Sequence, residues 1–134
     1  MGAWSHEPFG NDDAGDWALE LEEATDLSYI EAALDAVLDA DGYVEAPEAS
    51  CAIAAVEVIA KLLGKGTQSD AHTEKVDEWV QRVRSKPPRP LLEKAQRALD
   101  RIRGEDSELN ELWQEADAAE WEASLESLHA AVRD

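Results

Sequence analysis

Apolar residues recur at intervals of three and four along nearly the whole chain, and this spacing is typical of amphipathic helices. The first such stretch follows Asn11, a residue that can cap a helix, and runs to Leu21. The second follows another capping residue, Asp26, and ends at residues 41–42. No segment alternates apolar and polar residues as a half-buried strand does, so the pattern predicts helices only.

The third predicted helix is the most apolar part of the chain, and we expect it at the centre of the fold. It starts at Pro47, which suits the first helical turn, and nearly every position from 49 to 63 is Ala, Ile, Val or Leu. The charged exceptions, Glu57 and Lys61, are spaced to form an i,i+4 pair. We expect its most buried side chains to be those of Ile53, Val56, Ile59 and Leu63.

The remaining chain predicts three or four further helices. The fourth buries Val76 and Trp79 and stops at the prolines after residue 86, and the fifth runs from Pro90 to Gly104. Asp106 or Ser107 caps a sixth helix, whose inward side chains are Leu109, Leu112 and Trp113. The pattern leaves open whether residues 105–132 form one helix or two.

We therefore predict an all-α fold, a compact single-domain bundle of six or seven short helices with no sheet, over residues 1–134. Residues 1–10 are expected to form an extended N-terminal segment packed on the bundle, because Pro8 prevents a helix there. The longest strongly apolar stretch, residues 51–63, is shorter than the about 20 residues that span a bilayer, so we expect no membrane association.

Charge is distributed unevenly, and its sign limits the partners. The net charge is −19, and residues 1–60 contain 15 Asp and Glu but no Lys or Arg. This field repels phosphate backbones and attracts positive proteins, so we expect a basic protein partner and no nucleic acid. Solubility or adaptation of the host proteome is an alternative source of the acidity. We expect the fifth helix, with Lys94, Arg97 and Arg101, to meet the acidic half of the same chain.

Side chains that usually carry catalysis or bind metals are few. Cys51 is the only cysteine, which excludes an intramolecular disulfide, and we interpret it as a small core residue of a cytoplasmic protein. The common zinc-protease, phosphate-loop and serine-hydrolase motifs are absent, so we lean towards a non-enzyme and expect no cofactor.

One acidic cluster has two interpretations. Asp12, Asp13 and Asp16 spell Asp-Asp-x-x-Asp at the start of the first helix. Aspartates there are favourable with the helix dipole, which is the structural interpretation. The alternative is a divalent-metal-dependent enzyme or metal-binding protein that uses these three carboxylates, joined by Glu45 and Glu48.

The tryptophans are mostly predicted core anchors. Four of the five fall on apolar faces of predicted helices: Trp17, Trp79, Trp113 and Trp121. Trp4 precedes the first helix, in the same segment as Phe9. It is either tucked onto the bundle or exposed as an anchor for a partner.

Three blocks of sequence carry a resemblance to a known family. The first is MGAWSHEPFGNDDAGDW at residues 1–17, and the second is DGYVEAPEAS at residues 41–50. The third combines ALDRI at residues 98–102 with DSELNELW at residues 106–113. In this order they resemble a bacterial family, domain-of-unknown-function family 4259, and Ser5 departs from the Gly or Asp of that family. The resemblance implies no activity, substrate or cofactor, because the family has none established.

These blocks indicate where a functional surface should be sought. The partner-binding candidates that they supply are Trp4, Phe9, Asn11, Asp12, Asp13, Asp16, Tyr43, Glu45 and Glu48. We predict an acidic protein-binding or regulatory module, for example an immunity or antitoxin-like inhibitor of a basic nuclease, that is a monomer or weak homodimer.

Overall fold

The computed structural model describes residues 6–133, which are mainly helical. Its elements are α1 (Asp12–Leu21), α2 (Ser28–Leu38), α3 (Ala46–Leu62), a 3-10 turn (Ala71–Thr73), α4 (Glu74–Val83), α5 (Arg89–Arg103), α6 (Glu108–Glu115) and α7 (Ala119–Ala131). Residues 6–133 contain no strand beyond an isolated bridge between Val44 and Ser107. The predicted all-α bundle is confirmed, and the stretch that the pattern left open is two helices, α6 and α7.

The central element is α3, as its composition predicts. Every residue from 52 to 60 is buried, and α1, α2, α4, α5, α6 and α7 all contact this helix. Ile53, Val56 and Ile59 are buried as predicted, whereas the prediction for Leu63 is wrong because this side chain is only half-buried. Leu63 lies at the C-cap, where the chain turns into the exposed loop at residues 64–66.

Polar side chains accept hydrogen bonds at or just before the starts of the first two helices. The Oδ1 of Asn11 accepts a hydrogen bond from the Ala14 N–H at 2.8 Å, which confirms the predicted cap of α1. The N-cap of α2 is Leu27, one residue after the predicted cap, Asp26. Asp26 nevertheless accepts hydrogen bonds from the N–H and the hydroxyl of Ser28, the first residue of the helix, at 3.0 and 2.7 Å. These bonds satisfy donors that a helix start leaves unpaired.

The end of α2 depends on a remote arginine. The helix ends at Leu38, not at residues 41–42, and Gly42 turns the following loop with a φ of +85°. Arg101 of α5 donates hydrogen bonds to the carbonyls of Leu38 and Ala40 at 3.3 and 2.7 Å. A side chain distant in sequence therefore donates to the carbonyl of the last helical residue and to one carbonyl of the loop that follows.

Residues 6–10, which precede α1, pack on the bundle but are not extended. Residues 6–10 form turns, and the Gly10 N–H donates to the Glu7 carbonyl at 3.0 Å. Phe9 is 2% exposed, and its N–H donates to the Gln68 side chain at 2.8 Å. The presence of Pro8 excludes a helix but does not predict a turn. The turn forms because Phe9 is buried and its N–H bonds to Gln68.

The short helix α6 buries little. Leu112 is 52% exposed, so the prediction of an inward side chain is wrong there. Only Leu109 of this eight-residue helix is fully buried, while Trp113 is half-buried and stacks on Trp121 with ring centroids 6.1 Å apart. A helix of two turns presents one narrow face to the bundle, and position 112 lies outside that face.

A buried carboxylate organises the loop after α3. Glu57 is fully buried and accepts hydrogen bonds from the Thr67 N–H, the Thr67 hydroxyl and the Gln68 N–H at 2.7 to 2.8 Å. Lys61 lies 3.7 Å from Glu57, which confirms the predicted pair, and 2.8 Å from Asp77 of α4. The network therefore joins α3, the loop and α4.

Within residues 6–133, no helix is long and apolar enough to cross a bilayer.

Candidate functional site

An apolar groove lies where α1, α2 and the start of α3 meet. It has a volume of about 280 Å³ and is lined by Trp17, Tyr29, Ala32, Ala33, Ala36, Pro47, Glu48 and Cys51. Ala32, Ala33 and Ala36 share one face of α2, because residues three and four apart are neighbours on a helix. Their short side chains leave the space unfilled. We call this feature the α2 groove.

Two stacked aromatic side chains line the α2 groove. The ring centroids of Trp17 and Tyr29 lie 5.1 Å apart with an interplanar angle of 18°. The Tyr29 hydroxyl donates to the Trp17 carbonyl at 2.9 Å, which ties α2 to α1. Burial, and then the negative charge of Glu20, raise the pKa of Tyr29 to about 12, so this hydroxyl stays protonated. Trp17 is buried, so Tyr29 is the member of the pair that presents a rigid aromatic surface to apolar or cationic groups.

Carboxylates surround the thiol of the groove. Cys51 is half-buried, and its Sγ lies 3.7 Å from the Asp13 carbonyl oxygen. Burial, and then the charges of Asp13, Glu48 and Asp16, together raise the pKa of Cys51 to about 11. The predicted core position is therefore confirmed in part, because Cys51 packs against the core and also lines the α2 groove. The alanines of α2 are too short to cover it.

The charges of the groove are not balanced by a cation in its walls. No Lys or Arg is among the side chains that line it. Asp16 and Glu20 of α1 are exposed, and neither forms an ion pair among residues 6–133. The groove therefore lies in a negative field that α1 and α3 contribute.

An acidic depression adjoins the α2 groove. It lies between the end of α1 and the start of α2, has a volume of about 590 Å³, and shares Tyr29 and Ala32 with the groove. Its carboxylates are Glu20, Glu23 and Asp26. Hydrogen bonds from the Ser28 hydroxyl and N–H hold the pKa of Asp26 below its ordinary value, which keeps this carboxylate ionised.

The predicted cluster of three aspartates does not form a metal centre. Among residues 6–133, no group of three His, Cys, Asp or Glu side chains could hold a metal ion. Asp12 and Asp13 lie in the first turn of α1, where the helix dipole favours them, and Asp12 is exposed. Asp13 and Asp16 instead contribute to the field around Cys51, together with Glu48.

Tyr43 and Glu45 belong to a separate junction, between the start of α3 and the start of α6. The Val44 N–H donates to the Asp106 carbonyl at 2.8 Å, and the Tyr43 hydroxyl donates to Glu111 at 3.0 Å. Glu45 is exposed at the N-cap of α3 and makes no side-chain capping bond. The second and third sequence blocks therefore meet here, apart from the α2 groove.

The other candidates of the first block serve the fold. Phe9 is a core residue and cannot contact a partner, because almost none of its surface is exposed. Asn11 uses its side chain as the α1 cap. Trp4 lies outside the described residues.

One small cavity collects residues of all three blocks. It measures about 20 Å³ and is lined by His6, Glu7, Asn11, Ser50, Ile53, Leu109, Trp113 and Trp121. This is room for about one water molecule, so the cavity cannot admit an organic substrate. The shared blocks build a packed junction at this point.

Several groove residues are not found by sequence reasoning. Tyr29 and the alanines at 32, 33 and 36 lie beside the large apolar stripe of α2, so a search for buried side chains passes over them. The available signal is the clustering of three alanines on one helix face beside an aromatic residue. That signal becomes a groove only when α1 and α3 are placed next to it.

Comparison of the sequence with known proteins identifies one family. Searches of curated proteins and of solved structures find no match. The family model described as Domain of unknown function (DUF4259) matches residues 2–124, a range that contains the α2 groove, the acidic depression and the junction of α3 with α6. The chain therefore belongs to the DUF4259 family.

Proposed function

We propose that the protein is a binding module whose acidic α1–α2 surface engages a basic protein partner. The observation that carries this proposal is the α2 groove and its acidic depression, an aromatic and apolar surface edged by carboxylates. Asp16, Glu20 and Glu23 are exposed there without ion pairs among the described residues. Such a field attracts positively charged partners and accelerates their association.

The contacts that basic residues make within the chain also support the proposal that this surface is free to bind a partner. Lys94 of α5 lies 2.7 Å from Glu31 and 2.8 Å from Asp35, so it neutralises one face of α2. Arg101 is occupied by backbone carbonyls at the end of α2. The expected charge matching within the chain therefore covers the α5 side of α2 and leaves the α1 side for another molecule.

The metal-dependent alternative has no comparable observation in its favour. It needs Asp12, Asp13 and Asp16, with Glu45 and Glu48, to converge, and residues 6–133 hold no group of three metal ligands. A titration with Mg²⁺, Mn²⁺ and Zn²⁺ that raised the melting temperature would revive it.

Inhibition of a basic nuclease, in the manner of an immunity protein or antitoxin, is the specific form of binding that we favour. The acidic surface would occupy the positive cleft that such an enzyme uses for phosphate backbones. We further propose that the protein acts in the cytoplasm, as a monomer or weak homodimer; its lone free thiol suits a reducing compartment.

Affinity capture from lysate of the native host tests the binding function. The bait is the wild-type chain at low salt, with elution by a salt gradient and identification by mass spectrometry. The first variant combines Asp16→Asn, Glu20→Gln and Glu23→Gln. The matched control removes the same charge elsewhere, at exposed acids of three other segments: Glu78→Gln, Glu105→Gln and Glu115→Gln.

We expect the wild type and the control to retain one basic protein in near-equal amount and the α1 variant to lose it. Equal loss in both variants would show that total charge alone retains the protein. Recovery of no specific basic protein by the wild type would remove the proposal.

A further inference from the structure

We propose that the α2 groove binds an arginine side chain of the basic partner, with the side-chain stem along the alanines and the guanidinium beside Tyr29 and Glu48. This inference rests on the proposed function and names the chemistry that the surface recognises. The occupant is a protein segment that carries arginine, and the acidic depression accepts its next basic residue.

The size and walls of the groove suit one long side chain. At about 280 Å³ it is just below the range of pockets that enclose small-molecule ligands, about 300–1,000 Å³. Ala32, Ala33 and Ala36 provide an apolar wall along which methylene groups can lie. Arginine buries its stem on such surfaces while its charged head stays near polar groups.

The chemistry at the groove favours guanidinium over ammonium. Tyr29 is half-buried and braced against Trp17, so its ring is held in place for stacking. A guanidinium is planar, stacks on aromatic rings and pairs with carboxylates through a fork of donors, whereas a lysine ammonium is a strongly hydrated point charge. Glu48 in the groove wall supplies the carboxylate.

The surrounding charges complete the complementarity. Asp13, Asp16 and Glu20 all act on the Cys51 thiol in the groove, which places their field at this position. No basic side chain of the groove wall opposes a bound cation. The acidic depression continues the same field past Tyr29 and Ala32, so a second cation on the same segment meets Glu23 and Asp26.

Matched peptides test the inference directly. The probes are two short fluorescein-labelled peptides of Ala, Leu and Arg, identical except that citrulline replaces arginine in one of them. Citrulline keeps the shape and loses the charge. Binding is followed by fluorescence anisotropy, and occupancy of the groove by protection of Cys51 from iodoacetamide.

Two variants and their controls separate the groove from the general field. Ala36→Leu fills the groove and changes no charge, and its control, Ala130→Leu, adds the same volume at an exposed site of α7. Glu48→Gln removes the wall carboxylate, and its control is Glu115→Gln on α6. Circular dichroism and melting temperature establish that each variant folds.

We expect the arginine peptide to bind and protect Cys51, and citrulline, Ala36→Leu and Glu48→Gln each to weaken binding by about threefold or more. The controls should bind as the wild type does. Equal binding of the citrulline peptide, or unchanged binding by Ala36→Leu, overturns the inference.

These experiments distinguish a failure of the groove proposal from a failure of the proposed partner binding. If Ala36→Leu binds normally while the variant at Asp16, Glu20 and Glu23 does not, the acidic surface binds and the groove does not. If the arginine peptide occupies the groove but the lysate yields no basic protein, the groove proposal is supported and the proposed partner binding is contradicted.

Discussion

The thiol of Cys51 reports on the electrostatics of the α2 groove at the scale of one residue. Its pKa is raised to about 11 by burial and by the carboxylates of Asp13, Glu48 and Asp16. Only the thiolate is alkylated, so we expect slow reaction at neutral pH and a rate that still rises above the ordinary thiol pKa, about 8.5. Iodoacetamide kinetics across pH measure this rate.

Neutralising the neighbouring carboxylates should speed that reaction. Negative charges disfavour the thiolate, so the double substitution of Asp16→Asn and Glu48→Gln lowers the pKa of Cys51 and raises the alkylation rate at a fixed, mildly alkaline pH. The double substitution of Glu78→Gln and Glu115→Gln serves as the control, because it removes the same number of negative charges from exposed sites on two other helices. A rate unchanged by the double substitution would contradict the assignment of the field.

Glu57 is the residue on which we expect stability to depend most. Glu57→Gln replaces a fully buried acceptor with an amide, so one of the donors from Thr67 and Gln68 loses its partner and Lys61 keeps Asp77 as its one ion-pair partner among residues 6–133. We expect the free energy of unfolding to fall by about 3 kcal/mol. Urea denaturation measures it, and the exposed substitution Glu48→Gln should change it by less than about 0.5 kcal/mol.

The contact between α2 and α5 leads to a prediction at the scale of elements. Arg101 reaches the carbonyls of Leu38 and Ala40 with one guanidinium, and a lysine cannot reproduce this fork. Arg101→Lys should lower the free energy of unfolding by about 1 kcal/mol and speed amide hydrogen exchange near residues 38–42. Arg97→Lys on the exposed side of α5 is the control, and an equal effect of both would contradict the capping role.

How far the sequence predicts these elements depends on the range of the forces that form them. Predictions from local signals are correct for Asn11, which caps the helix that directly follows it. They are also correct for Ile53 and Val56, which lie in a continuous apolar run and are buried. The prediction for the end of α2 is wrong because Arg101, 63 residues after Leu38, donates to the carbonyl of this last helical residue. The prediction that Leu112 points inward is wrong because α6 is too short for its periodicity to define one buried face.

The candidate site is predicted in part for the same reason. Asp13, Asp16 and Glu48 are found from sequence blocks because each is polar near a helix start. Their meeting at Cys51 depends on how α1 packs on α3, which no local pattern contains. The groove itself is made by missing volume at three alanines, and a search for large or reactive side chains does not detect missing volume.

At the scale of the whole molecule, charge is the dominant unbalanced quantity. The net charge is −19, and the ion pairs between α2 and α5 and between α3 and α4 neutralise only a few of the acids. The folded chain brings these acids closer together than the unfolded chain does, so repulsion opposes folding. Added salt screens that repulsion, because the Debye length falls from about 30 Å at 0.01 M to about 8 Å at 0.15 M.

The melting temperature should therefore rise with salt, by about 5 °C between those ionic strengths. Differential scanning calorimetry in NaCl measures it, and the variant with Asp16→Asn, Glu20→Gln and Glu23→Gln should show a smaller rise because it begins with less repulsion. A melting temperature that fell with salt would mean that attractive pairs, led by Lys61 with Glu57 and Asp77, outweigh the repulsion. In that case the repulsion among the unpaired acids, including those of the α1–α2 surface, would be weaker than we expect, and the attraction of this surface for a basic partner would be correspondingly weak.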